Sequence, residues 1–523
     1  MKGPGQEPPE PPGDQPQETP GPLTGTVLRG AGLAGAGYVL TQVLTLGFYV
    51  ALARIATPAD FGEFAAAGLV VNIGLLFTES GMLAALVHRR DRLEEAASTA
   101  VVATALGGLL FSLLALGASP LIGAFFDSGR IGTLAAALSG LLLVRSLQVV
   151  PEALMQRRFS FVRRMVVEPV QVIAFGIAAV VLTSEGLGAW GLVVGFYASA
   201  VTDVTLSWLL VRWRPRFRLA SVAMWRELIG FARHVIASTI VERVGSEIPV
   251  ALIGRFVGQA QLGQYRYAYR IASTPLALVV AAASYVIYPA FARISHDRRR
   301  FASAFQEAAR WLATVAMPLA LILVPLGPPL AVVVFGDVWR DAGYAAMALS
   351  GYAVAASVVS ISSEGFKAAG RPGVLVWVHA ISFGVGSVAM VALLPFDMIG
   401  VAIGLSIGVT AGAAYALTRV ARIIGLTIRS LLSQLWPPAL AAMVMAGALL
   451  AADRLIDPAS YETVTALALL AAEGLGGLAC YAALLAILAP DTLSRARQMM
   501  SAARRRADTR TAPGPDASWE MRT

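Results

Sequence analysis

The sequence predicts an all-α polytopic membrane protein that crosses the bilayer about fourteen times. Three observations carry that reading. Charged residues make up 14% of the 523 positions and hydrophobic residues 57%, whereas a soluble chain carries roughly 25% charge. Mean hydropathy is +0.69, and the apolar runs are mostly about 20 to 28 residues long, enough to cross ~30 Å of hydrocarbon as helix. Basic residues gather in alternate connections between those runs, as orientation in a membrane requires.

Residues 1–24 carry Pro4, Pro8, Pro9, Pro11, Pro12, Pro16, Pro20 and Pro22 among polar residues. Such a segment buries too little apolar surface to fold, so it is expected to be a disordered cytoplasmic tail. It lacks a short basic region followed by an apolar core, so no cleavable signal peptide is expected. The predicted spans are 30–53, 61–87, 98–126, 131–156, 165–184, 189–211, 228–254, 264–292, 305–326, 342–366, 373–395, 399–421, 437–453 and 462–489. Residues 491–523 form a basic tail, expected on the same side as the N-terminus.

Orientation tests the number of spans. With the N-terminus inside, twenty-nine of the 41 Lys and Arg fall in cytoplasmic loops and tails. Among them are Arg89, Arg90 and Arg92, then Arg157, Arg158, Arg163 and Arg164, then Arg212, Arg214, Arg216 and Arg218, and later Arg298, Arg299 and Arg300. Only Arg54, Arg130, Arg255, Arg340 and Arg454 fall in outer loops. A miscounted helix would invert every later loop. The net charge of +9 is therefore membrane topology and contact with anionic lipid, not a nucleic-acid surface.

Several function classes drop out. The connections are too short to hold the outer loop or domain that a glycan polymerase or ligase uses, so no catalytic residue is assigned and a transporter is favoured. No Gly-x4-Gly-Lys-Ser/Thr loop is present, so ATP is not the direct driver. Coupling to a proton or sodium gradient, or to the membrane potential, follows by elimination. His234 and His379 are isolated, without metal-ligand spacing, and no metal or cofactor is expected. Cys480 sits among small apolar residues and reads as a bystander.

A repeat organises the chain. Arg54, Gly62 and Phe64 follow the first span at the same spacing as Arg255, Gly263 and Tyr265 after the seventh. Each segment is expected to be the outer loop after the opening helix of a six-helix set. Six being even, the two sets run parallel. The expected units are a first lobe over 25–220, a second over 221–430, and two further helices over 431–490. The alternative is that each pair caps a helical hairpin.

Arg54, Pro58, Asp60, Phe61 and Gly62 together resemble the signature after the first helix of the polysaccharide-exporter flippases. That branch belongs to the multidrug/oligosaccharidyl-lipid/polysaccharide superfamily. Further segments resemble the same branch in the same order: Glu79 to Arg89, Pro151 to Phe159, Gly186 to Trp190, Ile253 to Tyr265, Pro289 to Arg293, Phe335 to Trp339, and Ala369 to Pro372. One position departs: relatives often carry Asp four residues before Ile253, where this chain has Pro249, with Glu247 nearby.

The resemblance implies a V-shaped two-lobed fold in a bacterial cytoplasmic membrane. It also implies alternating access that moves an undecaprenyl-diphosphate-linked oligosaccharide from inner to outer leaflet, with glycan polymerases or glycosyltransferases as possible partners. A peptidoglycan-precursor (lipid II) flippase and a cation-coupled multidrug exporter remain open alternatives, and a non-transporting scaffold is the bland one.

Ionisable groups inside a membrane usually face the bundle interior or a wet cavity. The seventh span holds Arg233, His234, Glu242, Arg243 and Glu247. A diphosphate-sugar headgroup needs donors that stay charged when desolvated, which Arg supplies as a bidentate fork. Tyrosine suits sugar faces and hydroxyls. Arg145, Arg243 and Arg270, with Tyr269 and Arg266, are therefore the expected cavity residues. Two readings stand for Arg243 and for Arg145: substrate contact, or an internal ion pair that merely fixes packing, such as Arg243 with Glu247 at i, i+4. Arg266 lies near the outer interface, where it could snorkel. Glu79, Asp203 and Glu364, with Glu242 and Glu247, are candidates for a coupling proton or cation; for the first three, a structural pair with a nearby Arg is the competing reading. Glu307 and Arg310 read as a local i, i+3 pair.

Overall fold

A computed structural model describes residues 23–75, 81–89, 91–157, 163–453 and 461–491, and every regular element among them is helical. Both proline-rich and basic tails lie outside the described residues.

The chain opens with α1 (Leu23–Ile55) and turns at Ala56 and Thr57 into α2 (Pro58–Leu75). Pro58 sits at the first helical position, where its missing N–H leaves nothing unpaired. Next come α3 (Gly81–His88), α4 (Leu93–Phe125), α5 (Gly129–Ser146) and α6 (Val149–Arg157). Ser128 caps α5 by accepting from the Ile131 amide at 3.3 Å. A π-helical turn, Arg163–Val167, leads into α7 (Glu168–Leu182), and α8 (Ala189–Val211) returns antiparallel to it. Ser221 caps α9 (Val222–Leu252), accepting from the Met224 amide. After Gly258, whose φ of 131° would strain any side chain, α10 (Gln259–Ile294) begins.

Two spans are bent. α11 (Arg298–Leu321) and α12 (Leu323–Phe335) meet at 52°. Pro318, Pro325, Pro328 and Pro329 crowd this junction, each removing a backbone donor and clashing with the preceding turn. The helical stretch Asp337–Ala348, which contains α13 (Arg340–Ala348), meets α14 (Ser350–Ala368) at 45°. The chain finishes with α15 (Val374–Ala392), α16 (Asp397–Ile424), α17 (Ile428–Asp453) and α18 (Thr463–Leu488).

Among the described residues nine helices are long and apolar enough to span a membrane, or eleven if each bent pair is one span. This is a multi-pass membrane protein. Fourteen spans exceed what apolar length alone supports, and the difference has a physical source. The predicted second, seventh and eighth spans, which become α2 with α3, α9 and α10, are the three below that threshold; each carries polar or charged residues within the run, Asn72, Glu247, Arg266 and Arg270 among them.

The repeated motif is not a pair of loops. From Pro58 and from Gln259 onward it is helix, and the two glycines mark where α2 crosses α10. A side chain on Gly62 would meet the backbone carbonyl of Gln259, and one on Gly263 would meet the backbone carbonyl of Pro58. The contact is reciprocal: each motif's glycine packs on the first helical residue of the other. Such close approach is what small residues permit between helices in lipid. The main core lies around this crossing, with Leu52, Phe61, Leu134, Leu192, Tyr267 and Trp339 buried in one cluster.

Candidate functional site

Beside the crossing lies a cavity of about 520 Å³, within the size range of small-molecule sites. α1 contributes Gln42, Thr45 and Tyr49, α2 contributes Phe61, Phe64 and Asn72, α5 contributes Arg145, and α10 contributes Arg266, Tyr267, Tyr269 and Arg270. The spacing explains the α10 set: Arg266, Tyr269 and Arg270 are three and four apart and so share one helix face.

Each charged wall residue has a defined setting. The Arg270 guanidinium carbon stands 3.5 Å from the centroid of the Tyr49 ring, a cation–π contact that leaves its N–H edge free to point elsewhere. Tyr267 donates to the Tyr49 carbonyl at 3.0 Å, and the Tyr269 and Tyr352 hydroxyls are 2.8 Å apart. Arg145 Nε is buried and has no hydrogen-bond partner among the described residues. The wall amide Asn72 donates to Glu247 Oε1 at 3.1 Å. Glu247 is only 7% exposed, and Arg266 and Arg243 are near enough to act on its charge. Three guanidiniums and one shielded carboxylate make a net cationic, aromatic-walled chamber.

Of the cavity residues expected from sequence, the structure brings together Arg145, Arg266, Tyr269 and Arg270. Arg266 faces the cavity rather than snorkelling. Arg243 is exposed and outside the cavity, and among the described residues it makes no ion pair with Glu247. Asn72 takes that place. Asp203 is fully buried and accepts from Ser207 Oγ at 3.0 Å. Glu364 pairs with Lys367 at 3.1 Å. Arg310 donates to Gln434 at 2.7 Å rather than bridging to Glu307. His379 stacks on Phe383. Glu79, and the side chains of Glu242, Arg233 and His234, lie outside the described residues. Sequence reasoning missed Tyr49, Asn72 and Tyr267. A lone Asn in an apolar run was the available signal for the second.

The motif residues tie α1 to α12 and α2 to α8 beside the α2–α10 crossing. Arg54 donates to the Val333 carbonyl at 2.7 Å and the Val334 carbonyl at 3.1 Å, capping the C-terminus of α12 with a cation where the helix dipole favours one. Trp339 Nε1 donates to the Ala53 carbonyl at 2.9 Å, and Gln264 bonds the Val338 carbonyl and the Ala342 amide. Asp60 accepts from the Thr57 hydroxyl at 2.7 Å and from the Ala189 amide at 3.2 Å, with Arg130 3.6 Å away. Arg255, the repeat partner of Arg54, is exposed. Arg89, on the segment after α3, pairs with Glu227 of α9 at 2.7 Å.

Residues 51–343 match the model of a family described as polysaccharide biosynthesis protein. The succinoglycan biosynthesis transport protein ExoT of Rhizobium meliloti is 26% identical over 61% of this chain and 64% of its own. The lipopolysaccharide biosynthesis protein WzxC of Escherichia coli is 22% identical over 55% of this chain and 59% of its own. The chain thus spans somewhat less than two thirds of the length of these relatives. Among solved structures, the lipid II flippase MurJ in an inward closed conformation superposes with a TM-score of 0.71 at 15% identity, covering 88% of this chain and 99% of that one. An inward-facing multidrug resistance MATE transporter of the MOP superfamily gives 0.58 at 15% identity, over 73% of this chain and 95% of that one. At such identity the likeness concerns the fold. With a family model matching more than half of its residues, the chain belongs to the polysaccharide biosynthesis protein family.

Proposed function

We propose that the protein is a flippase that carries a lipid-linked oligosaccharide, of the undecaprenyl-diphosphate class, across the bacterial cytoplasmic membrane by alternating access. The observation that carries this reading is the chamber in which Arg145, Arg266 and Arg270 share a wall with Tyr49, Tyr267 and Tyr269. Guanidinium forks hold a diphosphate that has left water. Tyrosine rings pack on sugar faces while their hydroxyls bond sugar hydroxyls. A volume of about 520 Å³ suits a diphosphate with its first sugars, so the polyprenyl tail stays in the bilayer during passage.

The cycle follows from the two closures. The Arg54 end, read as extracytoplasmic and closed, is held by backbone-directed bonds to α12 and by the α2–α10 crossing. The Arg89 end, read as cytoplasmic, carries the basic loops that would meet an anionic headgroup. Alternating access requires that the outer seal open while inner contacts close, two packings of one chain that substrate binds differently. The reciprocal glycine contact supports two lobes, 25–220 and 221–430, that rock about this crossing. Glu247, held by Asn72 at the chamber wall, is the favoured coupling acid. Glycosyltransferases and a glycan polymerase would act on either side of the transfer step.

Deleting the gene in its own host should accumulate the lipid-linked glycan on the inner leaflet, shielded from an externally added glycosidase, and complementation should release it. No accumulation, or rescue of a lipid II flippase mutant instead, would overturn the proposal; the second result would favour the peptidoglycan-precursor reading.

A further inference from the structure

The last helix carries an acid that the central chamber does not use. Glu473 stands near the middle of α18, about 15 Å along the axis from Thr463. Both of its carboxylate oxygens are shielded, and neither has a hydrogen-bond partner among the described residues. The residue is half-buried, and the helix turns on either side of it pack on apolar groups. The adjacent Gly474 faces Leu326 at 3.8 Å and Ile322 at 4.0 Å, and Leu326, Val333, Ala466 and Leu470 form one packed cluster. On the next turn Gly477 packs on Leu449 of α17. Ile322 is the residue between α11 and α12, so Glu473 lies beside the 52° bend.

No neighbouring element offers a described countercharge. α12 has no ionisable residue. The ionisable residues of α17 are Arg429 and Asp453, at its two ends, and Asp453 acts on Glu473 with like charge. On α11, Arg310 is engaged with Gln434. Arg454 lies outside the described residues. A carboxylate shielded from solvent with no hydrogen-bond partner is costly to keep charged.

We propose that Glu473 is a proton-binding site, separate from the central chamber, whose neutral acid form seats α18 against the bend between α11 and α12. Release of the proton leaves an uncompensated charge in an apolar seam. The seam relieves it by parting, which loosens the brace on that bend. The ligand is the proton alone, and the inference does not depend on the transport reading.

The test treats the full-length protein in lipid nanodiscs with dicyclohexylcarbodiimide, which modifies protonated carboxyl groups in apolar surroundings. Peptide mass spectrometry then locates the adduct, separating Glu473 from other acids such as Glu247. Adduct on the Glu473 peptide at neutral pH is expected, lost as the buffer becomes alkaline, absent in Glu473→Gln and unchanged in Arg454→Gln. Mapping on the wild-type chain stands even if the Gln variant folds poorly. An unmodified Glu473 in mildly acidic buffer overturns the proposal, as does an adduct seen only in Arg454→Gln, which would mean a charged, paired acid. Modification that persists unchanged into strong alkali overturns it too, since no proton is then exchanged.

Discussion

Alanine at Gly62 or Gly263 tests the crossing around which the chamber is built. A methyl on Gly62 would come within 2.6 Å of the Gln259 carbonyl carbon, and one on Gly263 within 2.7 Å of the Pro58 carbonyl carbon. Ordinary contact begins at 3.4 Å, and both obstacles are backbone, which has no rotamer to turn aside. The carbonyl oxygens lie closer still, so α2 and α10 must part by about 1.5 Å in an interior where a single methylene is felt. Overpacking of this kind costs about 1–3 kcal/mol. The contacts are reciprocal, so either substitution separates the same two helices, and a second methyl enters space already opened. The double variant should then cost little more than the worse single one, leaving a coupling of about 1–2 kcal/mol in a double-mutant cycle. Thermal unfolding of wild type, both singles and the double in one detergent measures it. Additive penalties, or singles indistinguishable from wild type, would refute the reasoning.

Arg145→Gln, Arg266→Gln and Arg270→Gln should each remove a charge-assisted contact worth about 1.5–3 kcal/mol, weakening substrate binding roughly tenfold to a hundredfold with little change in expression; the glycan exported by complemented cells reads this out. Arg270→Lys should recover only part of the loss, because the ammonium lacks the planar fork and stacks poorly on Tyr49. Asn72→Ala leaves the buried Glu247 Oε1 without its donor and should destabilise by about 1–3 kcal/mol, measured as a fall in melting temperature. Arg54→Gln should cost about 1 kcal/mol by uncapping α12, and Arg54→Lys less. Asp297 caps α11 outside the spans, and hydrogen bonds from the Arg300 and Arg299 amides, first the former, hold its carboxyl below the usual carboxylate range. Its contribution is complete above the unfolded carboxylate pKa of about 3.9 and is lost as pH falls through the lower folded value. Unfolding in acid should therefore lose part of its pH dependence in Asp297→Asn.

The sequence by itself determined the class and the material of the site. Low charge, apolar runs of bilayer length and arginines in alternate connections leave only a polytopic helical membrane protein, because hydrocarbon accepts backbone only when it is bonded within a helix or closed barrel. The presence of arginine and tyrosine on one face of α10 followed from helical spacing. What tertiary structure decided is which neighbours these groups meet. Arg243 and Glu247 are spaced to pair, yet the rotation of α9 against α2 turns Glu247 to Asn72 and leaves Arg243 exposed. The Arg54 motif reads as a loop signature in one dimension, but its arginine caps α12, some 280 residues away, and its glycine lets α2 touch α10. Such long-range contacts leave only a small residue or a lone polar one in the chain, and many packings share that mark. Span number fell between the two: α2, α9 and α10 carry polar or charged residues within the run, Asn72, Glu247, Arg266 and Arg270 among them, and hydropathy measures such helices least well.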